Sequence, residues 1–302
     1  MSVPDRIVAV VGPTASGKSS LSVSIARALG DAEIINVDSM QLYRGMDVGT
    51  AKTPVAERGG VVHHLLDVLD VTQTASVAEF QGWARALIDD CHARGVVPVL
   101  VGGSSLYVRA VLDRLEFPGT DPVVRRRWAD ELAARGMPAL HAELARQDPA
   151  AAAQIQPTND RRIVRALEVI ELTGRPFAAS MPGYESVYEG VTLLGLDVPR
   201  EVLDRRLAAR VDQMWADGFV DEVRGLLPAG IEDGMTASRA LGYQQILAFL
   251  RGETTEDEAR ESTITGTRKF ARRQDRLFRK DPRIHWLRHD ADDLIDQALS
   301  HL

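Results

Sequence analysis

The chain has 302 residues, 45% apolar and 26% charged, with a formal net charge of −7. That length allows about two domains or one large one, and the composition excludes wholesale disorder. The single cysteine, Cys91, excludes a disulfide framework and any Cys-x-x-Cys zinc site. No apolar run approaches the roughly 18–20 residues that span a bilayer, so a cytoplasmic protein with no membrane partner is expected. The acidic balance, taken alone, argues against a nucleic-acid partner.

In chain order, Ile7–Val11 is a β-branched run that ends at Gly12. A helix is predicted over residues 19–29, closed by Gly30. A second strand covers 33–37 and ends at Asp38. A helix over 77–94 stops at Gly95, and a third strand over 96–101 ends in Gly102-Gly103. Apolar strands separated by helices predict an α/β fold, with a parallel sheet covered on both faces. Residues 118–190 differ, showing helices and turns but no convincing strand. Asp121-Pro122 and Asp148-Pro149 read as helix starts, while Pro157, Pro176 and Pro182-Gly183 read as breaks. Val191–Asp197 restores the strand pattern, and a long helix is expected from Pro199 to Leu227. Residues 236–280 read as helical and increasingly basic. The expected organisation is a core of 1–117 and 191–302, interrupted by a helical insertion domain at 118–190.

Gly12-Pro13-Thr14-Ala15-Ser16-Gly17-Lys18-Ser19 matches G-x-x-x-x-G-K-[ST] and lies between a strand and a helix. Glycines let backbone N–H groups converge on a phosphate, and the helix N-terminus adds partial positive charge. Lys18 supplies a full charge, and the Ser19 hydroxyl suits Mg²⁺. The motif marks phosphate or nucleotide binding, as in ATP-binding proteins, without naming the phosphate compound. The strand over 96–101 ends in Gly102-Gly103-Ser104 and offers no carboxylate for metal or water. Asp38 is the alternative acid, as a base or metal-linked group; a bland helix cap is the competing reading.

The segment from Asp38 through Ser39, Met40, Gln41, Tyr43, Arg44, Gly45, Asp47, Gly49 and Thr50 to Lys52 narrows the choice. Together with the Gly12–Ser19 loop it resembles the bacterial tRNA dimethylallyltransferases, also called tRNA isopentenyltransferases. Further blocks continue the resemblance in order: His63 to Asp67, Val101 through Gly102, Gly103 and Ser104 to Tyr107, Asp160 through Arg161, Arg162, Arg165 and Glu168 to Val169, Arg210 to Met214, Ala240 to Gln244, and Thr267 to Gln274. Ser19 and Ser104 stand where threonine is commoner, and Arg161 where glutamine is frequent. The resemblance implies a P-loop-type core with a helical insertion. It also implies transfer of a dimethylallyl group from dimethylallyl diphosphate to N6 of adenosine 37, beside the tRNA anticodon. By that resemblance the loop holds diphosphate with Mg²⁺ at Ser19, and Lys18 and Arg210 neutralise the leaving group. Asp38 receives the N6 proton, and Ser104 touches the target nucleotide.

Arg205 and Arg206 resemble the arginine lids of kinases, but an exposed helix face is the favoured reading. His63 and His64 are adjacent and lack a third ligand, so structural or tRNA-contact roles are expected rather than a metal site. Cys91 reads as a small buried residue.

Residues 265–280 carry Arg268, Lys269, Arg272, Arg273, Arg276, Arg279 and Lys280 against one acid, Asp275, a local surplus of +6 in a chain that totals −7. Arg268, Arg272, Arg276 and Lys280 fall at i, i+4 and are expected on one tRNA-facing side. Arg125-Arg126-Arg127 and Arg161, Arg162 and Arg165 suit the anticodon stem–loop from the insertion. Segregated charge thus reverses the inference drawn from the total. A P-loop small-molecule kinase, an adenylate isopentenyltransferase acting on free nucleotide, and a non-catalytic RNA-binding module are the alternatives. No exposed apolar stripe demands a dimer, so a monomer is expected.

Overall fold

The structure is a computed structural model that describes residues 5–177 and 183–302; Pro182 of the expected break lies outside them. The chain forms two compact units, Met1–Leu112 with Tyr188–Leu302, and Asp113–Val187.

In chain order the first unit begins with β1 (Ile7–Val11), α1 (Lys18–Leu29), β2 (Ala32–Asn36), β3 (His63–His64), α2 (Val77–Ala93), β4 (Val97–Gly102) and α3 (Ser105–Leu112). The second unit holds α4 (Pro122–Arg135), α5 (Met137–Gln147), α6 (Pro149–Gln154) and α7 (Asp160–Thr173). The first then resumes with β5 (Val191–Asp197), α8 (Arg200–Ala216), α9 (Phe219–Leu226), α10 (Tyr243–Leu250), α11 (Glu256–Phe278), β6 (Ile284–Arg288) and α12 (Leu294–Ser300).

Among the described residues, six parallel strands form one sheet in the order β3-β2-β4-β1-β5-β6. β1 is central and every residue of it is buried. Its alternate side chains feed two cores: Ile7, Ala9 and Val11 pack on one face with Ile35, Phe80 and Leu193, and Val8 and Val10 on the other with Ile25, Val99 and Leu194. Burial on both faces explains why this strand reads as unbroken apolar sequence. Val11 and Gly102 end β1 and β4 level with each other, and β5 passes them at Gly195 and runs on to Asp197. Ligands of open α/β sheets bind at that edge.

Two expected helices are broken. The stretch from Pro199 to Leu227 divides after Ala216, because Gly218 turns into the left-handed region at φ +90°. The stretch 236–280 divides into α10 and α11 after Gly252, at φ +76°. Thr255 then restarts the helix with a reciprocal capping box to Glu258. Two strands were not expected. β3 is only two residues long, and β6, at the sheet edge, buries Ile284 and Leu287 and exposes His285 and Arg288.

Within the second unit, Asp121 and Asp148 cap α4 and α6, each with proline in the first turn, as the sequence suggested. Leu140, Leu144, Ile155, Ile163 and Leu167 form its own core. Among the described residues no helix is long and apolar enough to cross a membrane.

Candidate active site and its basic margin

The Gly12–Ser19 loop leaves β1 at the common strand edge. Three positions need left-handed backbone: Gly12 at φ +135°, Ala15 at +63° and Gly17 at +103°. Glycine meets that need freely at two of them, while Ala15 carries some strain. No side chain caps the first turn of α1, so its amides remain open toward the loop. Lys18 donates to the Pro13 carbonyl at 2.7 Å. Loss of water around its ammonium is the largest influence and pushes its pKa down to about 7; nearby Arg210 pushes the same way and Asp38 opposes. Burial lowers Arg210 as well, again against Asp38. Two cations and one carboxylate therefore share one poorly solvated place, and the cations repel each other until an anion arrives.

A cavity of about 1,360 Å³ opens there. Thr14, Ala15, Gly17, Lys18 and Ser19 line it from the loop, while Gly12, Pro13 and Ser16 are buried behind. The Ser16 hydroxyl is buried without a hydrogen-bond partner among the described residues. Asp38, Ser39, Met40, Gln41, Ser104 and Arg210 complete the expected inner site. Asp38 accepts the Met40 N–H through Oδ1 at 2.9 Å, so it does cap a local turn, and its other oxygen has no hydrogen bond among the described residues. Ser104 sits just before α3 and receives the Tyr107 N–H at 3.5 Å.

Gly102 is required at the edge of β4. A Cβ there would lie 2.6 Å from the Val37 carbonyl oxygen. The close approach brings the backbone before Asp38 against the backbone before Ser104, which places both side chains in one cavity.

The loop after β2 is fastened from several sides. Glu222 of α9 accepts from the backbone N–H groups of Asp47, Val48 and Gly49 at 2.9, 2.6 and 3.1 Å, and from the Tyr243 hydroxyl at 2.6 Å. Lys52, nearly buried, donates to Asp47, Asp67 and the Tyr43 carbonyl. Gln41 donates to the Thr50 carbonyl at 3.1 Å. Sequence reasoning missed Glu222 because it lies 173 residues from the loop it holds, with no local motif.

The basic face of α11 differs from the expected one. Lys269, Arg273 and Arg276 line the cavity together with Phe270, over whose ring Arg273 sits at 5.6 Å. Arg272 turns to Asp204 of α8 at 3.2 Å, Arg279 pairs with Asp197 and Asp275, and Arg268 has its Nε buried. The 268–272–276 register of residues is thus split, because the helix buries Ala271, Gln274 and Phe278 and rotates its neighbours accordingly. Arg239, exposed, adds an unforeseen cation to the lining. Arg205 and Arg206 are exposed and away from the cavity, and Arg206 meets His289. No kinase-like lid forms from them.

In the second unit, Arg161 and Arg162 are exposed at the start of α7. Arg125 and Arg165 instead grip Glu168, which is fully buried, at 2.9 Å each. Arg125 thereby holds α4 to α7, Arg165 ties α7 to the Pro118 and Gly119 carbonyls, and the charge of both is already largely matched.

His64 pairs with Glu33 at 2.7 Å, His63 meets the Val61 carbonyl, and the described residues contain no group of three or more His, Cys, Asp or Glu placed for a metal. Cys91 is fully buried, and burial together with Glu33 pushes its thiol up to about 11.

Residues 41–281 match the family model described as IPP transferase. The chain is 64% identical over 298 residues to the tRNA dimethylallyltransferase of Thermobifida fusca, covering 97% of this chain and 93% of that one. It is 62% identical over 291 residues to the tRNA dimethylallyltransferase of Streptomyces avermitilis, covering 96% and 93%. Among solved structures, the tRNA isopentenylpyrophosphate transferase of Bacillus halodurans superposes with a TM-score of 0.72 at 40% identity, covering 98% of this chain and 94% of that one. A eukaryotic dimethylallyltransferase acting on tRNA superposes with a TM-score of 0.82 at 25% identity, covering 98% and 76%.

Proposed function

This chain belongs to the IPP transferase family and is a tRNA dimethylallyltransferase that modifies A37 of tRNA, and we propose how the residues around the Gly12–Ser19 loop carry out the transfer. The meeting of Lys18, Arg210 and Asp38 at one strand edge carries the reading. Two cations suit a leaving diphosphate, and one carboxylate suits an amine that becomes positive.

The bond from the allylic carbon to diphosphate oxygen breaks as the bond from adenine N6 forms. Negative charge grows on the diphosphate. Lys18, Arg210 and the open amides of the loop and α1 stabilise it where water is scarce. Arg210 presents a fork that grips two phosphate oxygens at once. The N6 amine is a weak nucleophile, since its lone pair is shared with the ring. Asp38 accepts a hydrogen bond from N6, aims the amine, and takes the proton as the nitrogen becomes cationic. Ser104 contacts the target nucleotide from the end of β4. That strand ends without a carboxylate, which disfavours a water-activating NTPase site.

A Mg²⁺ ion arriving with the diphosphate would be held on the protein side by the Ser19 hydroxyl, which lines the cavity beside Lys18. When bound, it would neutralise part of the diphosphate charge.

The acceptor is the tRNA anticodon stem–loop. Lys269, Arg273, Arg276 and Arg239 face its phosphates at the cavity margin, beside Ser39, Met40 and Gln41. Arg161 and Arg162 supply exposed charge on the insertion. A37 must leave its stack to place N6 in the cavity. A tRNA substrate puts the reaction in the cytoplasm.

Asp38→Asn tests the assignment. Its tRNA affinity stays within about twofold, while single-turnover transfer falls about 10²–10⁴-fold. Near-normal single-turnover transfer would remove Asp38 from the chemistry.

A further inference from the structure

Gln274 has no role in the mechanism above, yet it is 5% exposed and uses both ends of its carboxamide at the site. Its Oε1 accepts the Thr14 N–H at 3.0 Å, inside the phosphate loop. Its Nε2 donates to the Gly103 carbonyl at 2.8 Å, beside Ser104. The orientation is fixed, because a flipped amide would set donor against donor and acceptor against acceptor. The space is fitted to it as well: a Cβ on Gly103 would lie 2.4 Å from Nε2. Gln274 belongs to α11 and lines the cavity together with Arg273 and Arg276 of the same helix.

We propose that Gln274 is a positioning residue: it fixes the distance between the phosphate loop and the end of β4, and so sets the seat of the diphosphate against the Ser104 side of the cavity. The Thr14 amide is spent on Gln274 rather than on phosphate, so the loop's curvature is held before substrate arrives. Such preorganisation lowers the cost of binding an anion whose contacts are backbone amides. The carboxamide also links the RNA-facing helix directly to the diphosphate loop. This assignment rests on the functional reading above only for the identity of the phosphate compound.

Gln274→Met removes both hydrogen bonds at similar volume. Gly103→Ala keeps the carboxamide but drives it from its place, and covers the case in which the first variant does not fold. Binding of inorganic diphosphate with Mg²⁺, measured calorimetrically, is expected to weaken about 10–100-fold in either variant, with a matching rise in KM for dimethylallyl diphosphate. Affinity for tRNA stays near wild type, while the stranded Thr14 N–H and Gly103 carbonyl lower the thermal midpoint modestly. Unchanged diphosphate affinity would overturn the assignment. So would a loss of tRNA affinity matching the loss of diphosphate affinity, which marks a merely structural residue. A wild-type chain that binds diphosphate but prenylates no tRNA would instead overturn the functional reading and leave this assignment standing.

Discussion

Lys18 shows how much of the site resides in single side chains. Its ammonium is depressed to about 7 from an ordinary value of 10.5, chiefly by lost water and then by Arg210. Between those pH values the unfolded chain binds more protons than the folded one, so the empty protein gains stability as pH rises through that window. Diphosphate restores a counter-charge and draws the proton back. Binding of dimethylallyl diphosphate at pH 8 is therefore expected to take up close to one proton, about 0.9 for a group titrating near 7. Calorimetry in buffers of different ionisation enthalpy reads that number, and no uptake would mean Lys18 is already charged in the empty site. Lys18, Ser19 and Asp38 were legible in the sequence because a spaced motif and a strand end announce them. Gln274 was not, although it lies in a recognisable block: its partners Thr14 and Gly103 are 260 and 171 residues away, and only folding reveals that both ends of its amide are used.

Among the elements, long buried strands and capped helices could be read directly. Ile7–Val11 and Val191–Asp197 are where the apolar runs put them, since a strand buried on both faces has no polar positions to obscure it. The run from Pro199 to Leu227 reads as one helix because the apolar spacing survives across Gly218; the positive φ that ends it is a backbone fact. The basic face of α11 was misplaced for a related reason. Counting arginines at i, i+4 ignores which side the buried Ala271, Gln274 and Phe278 choose. Two carboxylates fasten these elements. Glu222 holds the loop of Asp47 to Gly49, and Glu222→Ala is expected to cost about 2–3 kcal/mol in urea melts by stranding several donors. A loss under about 0.5 kcal/mol would show the loop is held elsewhere. Glu33 is held down near 2, first by its bond to Arg94 and then by His64, with burial opposing. Its contribution is complete above about pH 4.5 and fades as pH falls toward 2. Glu33→Gln is expected to flatten the acid limb of the stability curve over that range.

At the scale of the whole molecule, the total charge misleads and its distribution informs. A chain of net −7 carries Lys269, Arg273, Arg276 and Arg239 on the margin of one cavity, while Arg125, Arg165, Arg272 and Arg279 are matched internally. Affinity for tRNA is expected to fall steeply with salt. Replacing Arg273 or Arg276 with glutamine should each reduce the slope of log K against log salt by about 0.7–0.9, whereas Arg272→Gln should leave it nearly unchanged. Equal effects from all three would show that the whole helix, rather than one face, meets the phosphates. The site moves a dimethylallyl group onto A37 of tRNA. The most direct measurement incubates the protein with Mg²⁺ and labelled dimethylallyl diphosphate, offering unmodified tRNA, the same tRNA with guanosine at position 37, and AMP. Label is expected on the first acceptor alone, at N6 of A37. Label on AMP, label on the substituted tRNA, or no transfer to any acceptor would contradict that expectation.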